Sequence, residues 1–412
     1  MKAVVFNIGC KVNQYECDVL TEKLAILGYE VSEDLEYADI YILNTCAVTQ
    51  EAERKSRQAI ARCLKYNPNA KVFVCGCASQ KSGETFKKDG VIYITGVAGK
   101  QAILEHLQDS NQELNIVDLP KEYEDFSLTQ PSRTRAFVKI QDGCNKFCTY
   151  CIIPFLRGRS RSRDLHEVVN EIKVLSQNTK EIVLTGIDVM SYGLDIGTNF
   201  TELIQSLKDI DVRIRLSSIY AESIDKPLLD ALFNLRDFCP HFHLSMQSGD
   251  NQVLKKMNRH YTSEIYAEKI ELIRKYDNLA GITTDIIVGF PTETDEAFNN
   301  TYMFLKEHEF SDVHIFPYSP RTGTVAAKMP ILDKDIVVTR KNALNDLKTN
   351  LKANFVAKNI GSTNSVLIET KENGLNVGYT KNYIRVYTKK EGTIVNVQLD
   401  KPYLDGAIDK EI

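Results

Sequence analysis

Apolar residues fall in two rhythms along this chain, short unbroken runs and helical repeats, and the two alternate. The run at 3–8, closed by Gly9, has the pattern of a buried strand. Over 15–27 the apolar positions recur at helical spacing and stop at Gly28. Runs at 40–43 and 71–74 predict two more strands, with a polar helix over 49–66 between them that ends before Pro68. Residues 91–108 add a further strand–helix pair. Strands alternating with helices predict a parallel sheet of the doubly wound type. The stretch 109–133 is polar and partly acidic, carries Pro120 and Pro131, and reads as a linker.

Beyond it the same alternation resumes. Strand patterns at 136–140, 181–185, 213–218, 242–246, 282–288 and 313–317 are mostly separated by amphipathic helices, as at 165–175, 227–235 and 263–276. Six such units predict a partial, six-stranded parallel barrel with its chemistry at the strand carboxyl ends. His241 and His243 flank one of these strands and read as packed or surface histidines. From 356 onward β-branched residues dominate, punctuated by Gly361, Gly374, Gly378, Gly392 and Gly406, which predicts a small all-β barrel of the oligonucleotide-binding kind. There Tyr383, Arg385, Tyr387 and Lys389 alternate with Ile384, Val386 and Thr388, and Tyr379 and Lys381 extend the same parity. Period two puts the aromatic and basic side chains on one face, suited to stacking bases and holding phosphates of single-stranded RNA. The alternative is an ordinary exposed strand face. The predicted class is α/β, in segments 1–115, a linker at 116–133, 134–355 and 356–412.

Length and charge narrow the function. A chain of 412 residues exceeds one ordinary core. Its formal net charge of −4 gives no global basic field, so any nucleic-acid contact is local. No run reaches the length of a membrane span and the N-terminal run is too short for a signal peptide, so the expectation is a cytoplasmic protein with no membrane partner. Ten cysteines in clustered spacing point to metal ligation in a reducing compartment rather than to a disulfide scaffold.

The densest cluster is Cys144-Asn-Lys-Phe-Cys148-Thr-Tyr-Cys151. Three thiolates this close need a cation or cluster between them. A structural zinc takes a fourth ligand, yet the next His is His166, within a helical pattern. Three ligands on a four-iron cluster leave one iron open to a small molecule. The alternatives are a zinc knuckle short of a ligand, or three unrelated thiols. A second set lies at strand ends: Cys10, Cys46 and Cys77 follow the first three predicted strands, whose carboxyl ends share one edge of a parallel sheet. Cys75 belongs to the strand pattern, and Cys17 and Cys63 read as packed small hydrophobes. Arg157, Arg159, Arg161 and Arg163 alternate beside the cysteine loop, with Pro154 and Gly158 shaping it; they suit contact with RNA phosphates or with a small-molecule ligand, or else form a solvated loop.

The cysteine loop, with Tyr150 before its last Cys, resembles the signature of radical S-adenosylmethionine (SAM) enzymes. "GCKVNQYE" (9–16), "NTCAVT" (44–49) and "GCASQ" (76–80) resemble the N-terminal signatures of the methylthiotransferase family within that superfamily. So do "CIIPFLRGRSRSR" (151–163), "LTGIDVMSYG" (184–193), "RLSSI" (215–219), "HLSMQSGDNQVLKKMNR" (243–259), "TTDIIVGFPTET" (283–294) and "FPYSPRTGTVAAKM" (316–329). One departure stands at Tyr220-Ala221, where the family has Glu-Pro, so no role is carried to Glu222. The C-terminal segment resembles the TRAM domain of RNA-modifying enzymes.

The resemblance implies two [4Fe-4S] clusters, one on Cys144, Cys148 and Cys151 and an auxiliary one on Cys10, Cys46 and Cys77. It implies SAM contacts from Tyr150, Gly186, Ser217 and Gln247. The motif "GCKVNQYE" resembles the branch acting on N6-threonylcarbamoyladenosine at position 37 of tRNA, giving the 2-methylthio derivative. Other branches act on isopentenyladenosine in tRNA or on an aspartate of a ribosomal protein. Partners implied are the tRNA anticodon loop, a reducing electron donor and a sulfur donor. Carbon 2 of adenine holds a C–H bond that no side-chain base deprotonates at neutral pH, which is why radical chemistry is called for. A non-catalytic iron–sulfur RNA-binding protein is the reading from a different class.

Overall fold

The computed structural model describes every residue except Asp125, Ser132 and Ile412. The chain divides into two compact units: 1–175 with 185–198 and 319–327, and 176–184 with 199–318 and 328–412. These limits do not coincide with breaks at 115, 133 or 355.

The first unit is built on a six-stranded, all-parallel sheet. Its order is Glu30–Ser32, Lys2–Asn7, Ile40–Thr45, Lys71–Gly76, Val91–Thr95, Glu113–Asn115. The central strands are apolar on both faces, as parallel strands covered by helices must be. Helix Lys11–Ile26 returns from the first strand, and helix Gln50–Tyr66 from the next central one. The latter starts where Thr49 Oγ1 accepts from the Ala52 N–H at 3.1 Å, and Glu51 and Glu53 favour its positive end. The order reverses between Lys2–Asn7 and Ile40–Thr45, which makes the carboxyl ends of those strands the natural ligand crevice. The expected linker is anchored at several of its described residues. Phe126 and Leu128 are buried, Tyr15 Oη donates to the Phe126 carbonyl, and Tyr123 Oη donates to the Lys139 carbonyl at 2.9 Å. Strand Arg135–Lys139 then leads into the cysteine loop, closed by the antiparallel pair Gln141–Asp142 and Arg161–Ser162.

The second unit carries parallel strands in two groups. Glu181–Thr185, Arg213–Leu216 and Asp237–Phe238 pair in that order. Ser218–Ile219, His241–Leu244, Gly281–Val288 and Asp312–Pro317 form the other. All six strands expected between 136 and 317 exist in the chain. The strand predicted over 213–218 is interrupted at Ser217, where the first group ends and the second begins. His241 and His243 are buried and share Thr283 Oγ1, at 3.1 and 2.9 Å.

The C-terminal segment closes into a five-stranded barrel, in the order Thr363–Glu372, Leu375–Thr380, Arg385–Thr388, Gly406–Asp409, Ile394–Tyr403. Helix Lys334–Asn359 runs through position 355, and its Val356 belongs to the barrel core with Val366, Val386 and Leu399. The aromatic–basic stripe needs correction. Of the stripe, Arg385 and Tyr387 lie in strand Arg385–Thr388, Tyr379 lies in the separate strand Leu375–Thr380, and Lys381, Tyr383 and Lys389 lie outside both. Ile384 and Val386 do point into the core, but Tyr387 is buried on the opposite side among Val377, Ile408 and Tyr403. Its hydroxyl donates to Asp405 Oδ1 at 2.7 Å, and Arg385 is tied to Asp405 and Glu372. Tyr383 sits in a turn at φ 74°. Its ring stacks on His241 at 4.5 Å and Tyr379 at 4.7 Å, with the Arg215 guanidinium 4.8 Å away. Lys389 is exposed. The alternation was real, but a closed barrel covers much of what an open strand would show.

Candidate active site

Three neighbouring strands bring Cys10, Cys46 and Cys77 to one edge. Asn7 lies opposite Asn44 and Thr45 opposite Gly76, so the strand ends are level and the cysteines follow them. Gly76 is obligatory here: its φ is 103°, and a Cβ would stand 2.5 Å from both Asn44 Oδ1 and the Thr45 carbonyl. Gly9 is similarly tight, with a Cβ 2.6 Å from the Asn13 side chain. Cys46 and Cys77 each feel Cys10 electrostatically, and Cys46 also feels Cys77. Burial, with Cys77 adding, pushes the Cys46 thiol up to about 12. Burial also raises Cys77, against the pull of Arg157. Cys75 lies in its strand and Cys17 and Cys63 in helices, all buried.

The second set stands on the loop between Gln141–Asp142 and helix Ile153–Arg157. The loop is fixed by Gly143, whose Cβ would collide with the Arg159 carbonyl, and by Gln141 Nε2, which donates to the carbonyls of Asp142 and Gly143 and to Ser160 Oγ. Burial, then Asp188, pushes the Cys144 thiol up to about 12. The Cys151 N–H donates to the Cys148 carbonyl at 3.0 Å. Among the described residues, no three of His, Cys, Asp and Glu are drawn together tightly enough for a single metal ion.

A buried polar network lies against the first set, and Arg157, from the helix that follows the second, is its centre. This side chain is 0% exposed. Its Nε donates to Cys77 Sγ at 3.3 Å, Nη1 to Glu16 Oε1 at 3.1 Å and to Asp142 Oδ2 at 3.0 Å, and Nη2 to Asn13 Oδ1 at 3.1 Å. Cys10 Sγ donates to the same Asn13 oxygen at 3.3 Å. Lys100 and Lys139 each lie 3.2 Å from Glu16, and Lys139 and Arg161 lie 2.7 and 3.4 Å from Asp142. Burial alone would raise both carboxyls; Arg157 first, with the other cations, holds each well below its ordinary value. Arg157, Lys100, Lys139 and Arg161 therefore outnumber Glu16 and Asp142 in a closed interior. Buried charge of one sign is costly unless something opposite joins it. Thiolates and an anionic cluster on Cys10, Cys46 and Cys77 supply that opposite charge, so the residues present fit such a group.

The arginine series is corrected by the same geometry. Arg157, Arg161 and Arg163 are not surface cations. Arg161 donates to the carbonyls of Arg157 and Arg159, and Arg163 pairs with Glu171 and donates to Ser127 Oγ. Arg159 alone of the four is exposed, its guanidinium 4.6 Å over the Phe147 ring. Of the positions anticipated for SAM, Tyr150 lies in the cysteine loop. Gly186 follows strand Glu181–Thr185, and a Cβ on it would meet Gln141 Oε1 at 3.0 Å. In the second unit, Ser217 Oγ is buried with no hydrogen-bond partner among the described residues, and Gln247 holds φ 73° with its N–H on the Asp285 carbonyl at 2.8 Å.

Glu16, Asn13, Asn44, Asp142, Lys100 and Lys139 went unnoticed in the sequence. A signal existed for three of them: Asn13 and Glu16 stand inside the motif that begins with Gly9-Cys10, and Asn44 precedes Thr45-Cys46. Lys100 and Lys139 look like any surface lysine.

Comparison with known proteins follows this geometry. Residues 138–305 match the radical SAM superfamily, and residues 2–96 match the uncharacterized protein family UPF0004. The chain is 38% identical over 98% of its length to a protein of Bacillus subtilis named threonylcarbamoyladenosine tRNA methylthiotransferase MtaB, covering 96% of it. It is 39% identical over 95% of its length to the Aquifex aeolicus protein of the same name, covering 97% of that chain. A protein of Sulfurihydrogenibium named tRNA-2-methylthio-N(6)-dimethylallyladenosine synthase is 34% identical, over 97% of each chain. Among solved structures, the radical SAM methyltransferase TsrM of Kitasatospora setae shares the fold with a TM-score of 0.57 at 15% identity, over 79% of this chain and 74% of that one. No helix among the described residues is long and apolar enough to cross a membrane.

Proposed function

This chain belongs to the methylthiotransferase family of radical SAM enzymes, and from that premise we propose that it methylthiolates carbon 2 of N6-threonylcarbamoyladenosine at position 37 of tRNA. The observation that carries the two-centre part is the buried cation surplus around Arg157, which touches Cys77 and leaves the helix that follows Cys151. On this reading Cys144, Cys148 and Cys151 hold one [4Fe-4S] cluster and Cys10, Cys46 and Cys77 a second. When bound, the first supplies the electron that cleaves SAM to a 5′-deoxyadenosyl radical, and the second supplies the site from which sulfur is delivered.

The chain's own residues bind, orient and exclude water. Tyr150, Gly186, Ser217 and Gln247 take SAM, Ser217 through a buried hydroxyl that lacks a hydrogen-bond partner among the described residues. Glu16 and Asp142 hold Arg157 and Lys139 in place, and burial keeps solvent from Cys46 and Cys77, while Cys10 is exposed. Arg159, exposed beside the cysteine loop with Phe147 under it, is a cation available to an RNA backbone. On this reading the parallel strands of the second unit belong to the partial barrel of this family, and the C-terminal barrel is a TRAM domain. A reducing electron donor and a sulfur donor complete the partners, and the cytoplasm is the site of action.

The relative named for the dimethylallyl substrate, at 34% identity, favours a second reading in which that adenosine is modified. Mass spectrometry of tRNA nucleosides from a strain lacking this gene separates the two. Loss of the 2-methylthio threonylcarbamoyl nucleoside, with the dimethylallyl one intact, is expected; the reverse pattern overturns the proposal.

A further inference from the structure

We propose that Arg157 is a positioning residue for the Cys10/Cys46/Cys77 centre, fixing the Cys77 sulfur and raising the reduction potential of the cluster held there. This rests on the reading that those three cysteines bind an iron–sulfur cluster. Arg157 ends the short helix that follows Cys151, so it belongs in sequence to the other cysteine loop. Its side chain nevertheless reaches across to the strand-end cysteines and is sealed from solvent. Each nitrogen of the guanidinium has an assigned partner: Nε a sulfur, Nη1 the carboxylates of Glu16 and Asp142, and Nη2 the Asn13 amide oxygen that also receives the Cys10 thiol. A planar fork held at three points cannot turn away from Cys77.

Two effects then act on the same centre. Hydrogen bonds to ligand sulfurs, and positive charge close by, stabilise the more electron-rich reduced cluster. Both are stronger where the donor and its sulfur are buried, as Arg157 and Cys77 are. Lys100, Lys139 and Arg161 add charge, but only Arg157 among them donates to a cysteine sulfur in the hydrogen bonds described. Removing Arg157 leaves Glu16 and Asp142 still paired with those three cations, so its loss need not unfold the unit.

The test uses the full chain with Cys144, Cys148 and Cys151 replaced by Ala, reconstituted anaerobically so that only the N-terminal centre is loaded. Redox titration followed by electron paramagnetic resonance reads the midpoint potential, with iron content measured on the same samples. Arg157→Gln is expected to shift the midpoint to more negative values, and Arg157→Lys, which keeps the charge but not the fork, to lie between it and the parent. Arg159→Gln, an exposed side chain over Phe147, is expected to leave the midpoint where it was. Arg157→Gln and Arg157→Lys chains that are folded and loaded with an unmoved midpoint overturn the proposal. If Arg157→Gln does not fold, Arg157→Lys decides alone. If the parent binds no iron at all, what fails is the two-cluster reading beneath it.

Discussion

At the scale of single residues, Gly76 and the arginines teach opposite lessons. Gly76 precedes a cysteine at a strand end, and the reason a glycine stands there is visible only in three dimensions, where the space for a Cβ is occupied by the neighbouring strand. Gly76→Ala is expected to cost about 1–3 kcal/mol, because it combines a left-handed backbone with a clash against main-chain atoms. Thermal unfolding reads the cost, and reconstituted iron content is expected to fall with it as Cys77 is displaced. The arginines look exposed in the sequence because they alternate beside glycine and proline in a polar stretch. Their burial depends on Glu16, Asp142 and Glu171, and Glu16 lies far from them along the chain, so no local pattern reveals it. Tyr387 repeats the lesson. Tyr387→Phe removes a hydroxyl bonded to Asp405 and is expected to destabilise the barrel by about 1 kcal/mol while leaving tRNA affinity unchanged. A clear loss of tRNA binding in the folded variant would show that this buried ring is an RNA contact after all.

At the scale of elements, most strands and helices were legible because each carries its own hydrophobic run. Among those missed were helix Lys334–Asn359 and the three-residue edge strands Glu30–Ser32 and Glu113–Asn115, whose pairing is imposed by Lys2–Asn7 and Val91–Thr95 rather than by their own side chains. The two cysteine sets were legible from spacing and strand position; the charges that wall one of them were not. Segment limits were least legible. Helix Lys334–Asn359 ignores position 355, and Asn382 donates to the Leu279 carbonyl at 2.8 Å and to Asn359 Oδ1 at 2.9 Å. The barrel is thus fastened to helix and sheet by polar groups. Asn382→Ala should cost about 1–3 kcal/mol, since it strands one buried and one partly buried acceptor. One cooperative loss of the barrel together with its neighbours is the expected melting behaviour, and an unchanged transition would argue that the barrel stands apart. The cysteine elements predict a division of labour. With Cys10, Cys46 and Cys77 replaced by Ala, the protein is expected to cleave SAM under strong reductant yet attach no methylthio group. Loss of SAM cleavage despite a loaded Cys144/Cys148/Cys151 site would mean that the two sites are not separable.

For the molecule as a whole, anaerobic reconstitution is expected to load about eight irons per chain, following from two four-iron clusters. Each triple cysteine replacement should remove about half of that. An N-terminal triple variant that kept its full iron and sulfide would refute the assignment of the second site. The surplus of buried cations in the first unit has a consequence for the lifetime of the protein. A ligand that binds only the folded chain shifts the folding equilibrium toward it, and here the ligand also cancels like charges the fold has confined. The metal-depleted chain is therefore expected to melt well below the reconstituted one and to be cut faster by protease, the N-terminal strands first. In a cell, unfolded chains are cleared by chaperones and proteases, so a chain left without its clusters is short-lived. Abundance of this enzyme would then follow the supply of iron and sulfur without any dedicated regulator, and scarcity of either would silence it by turnover before transcription responded.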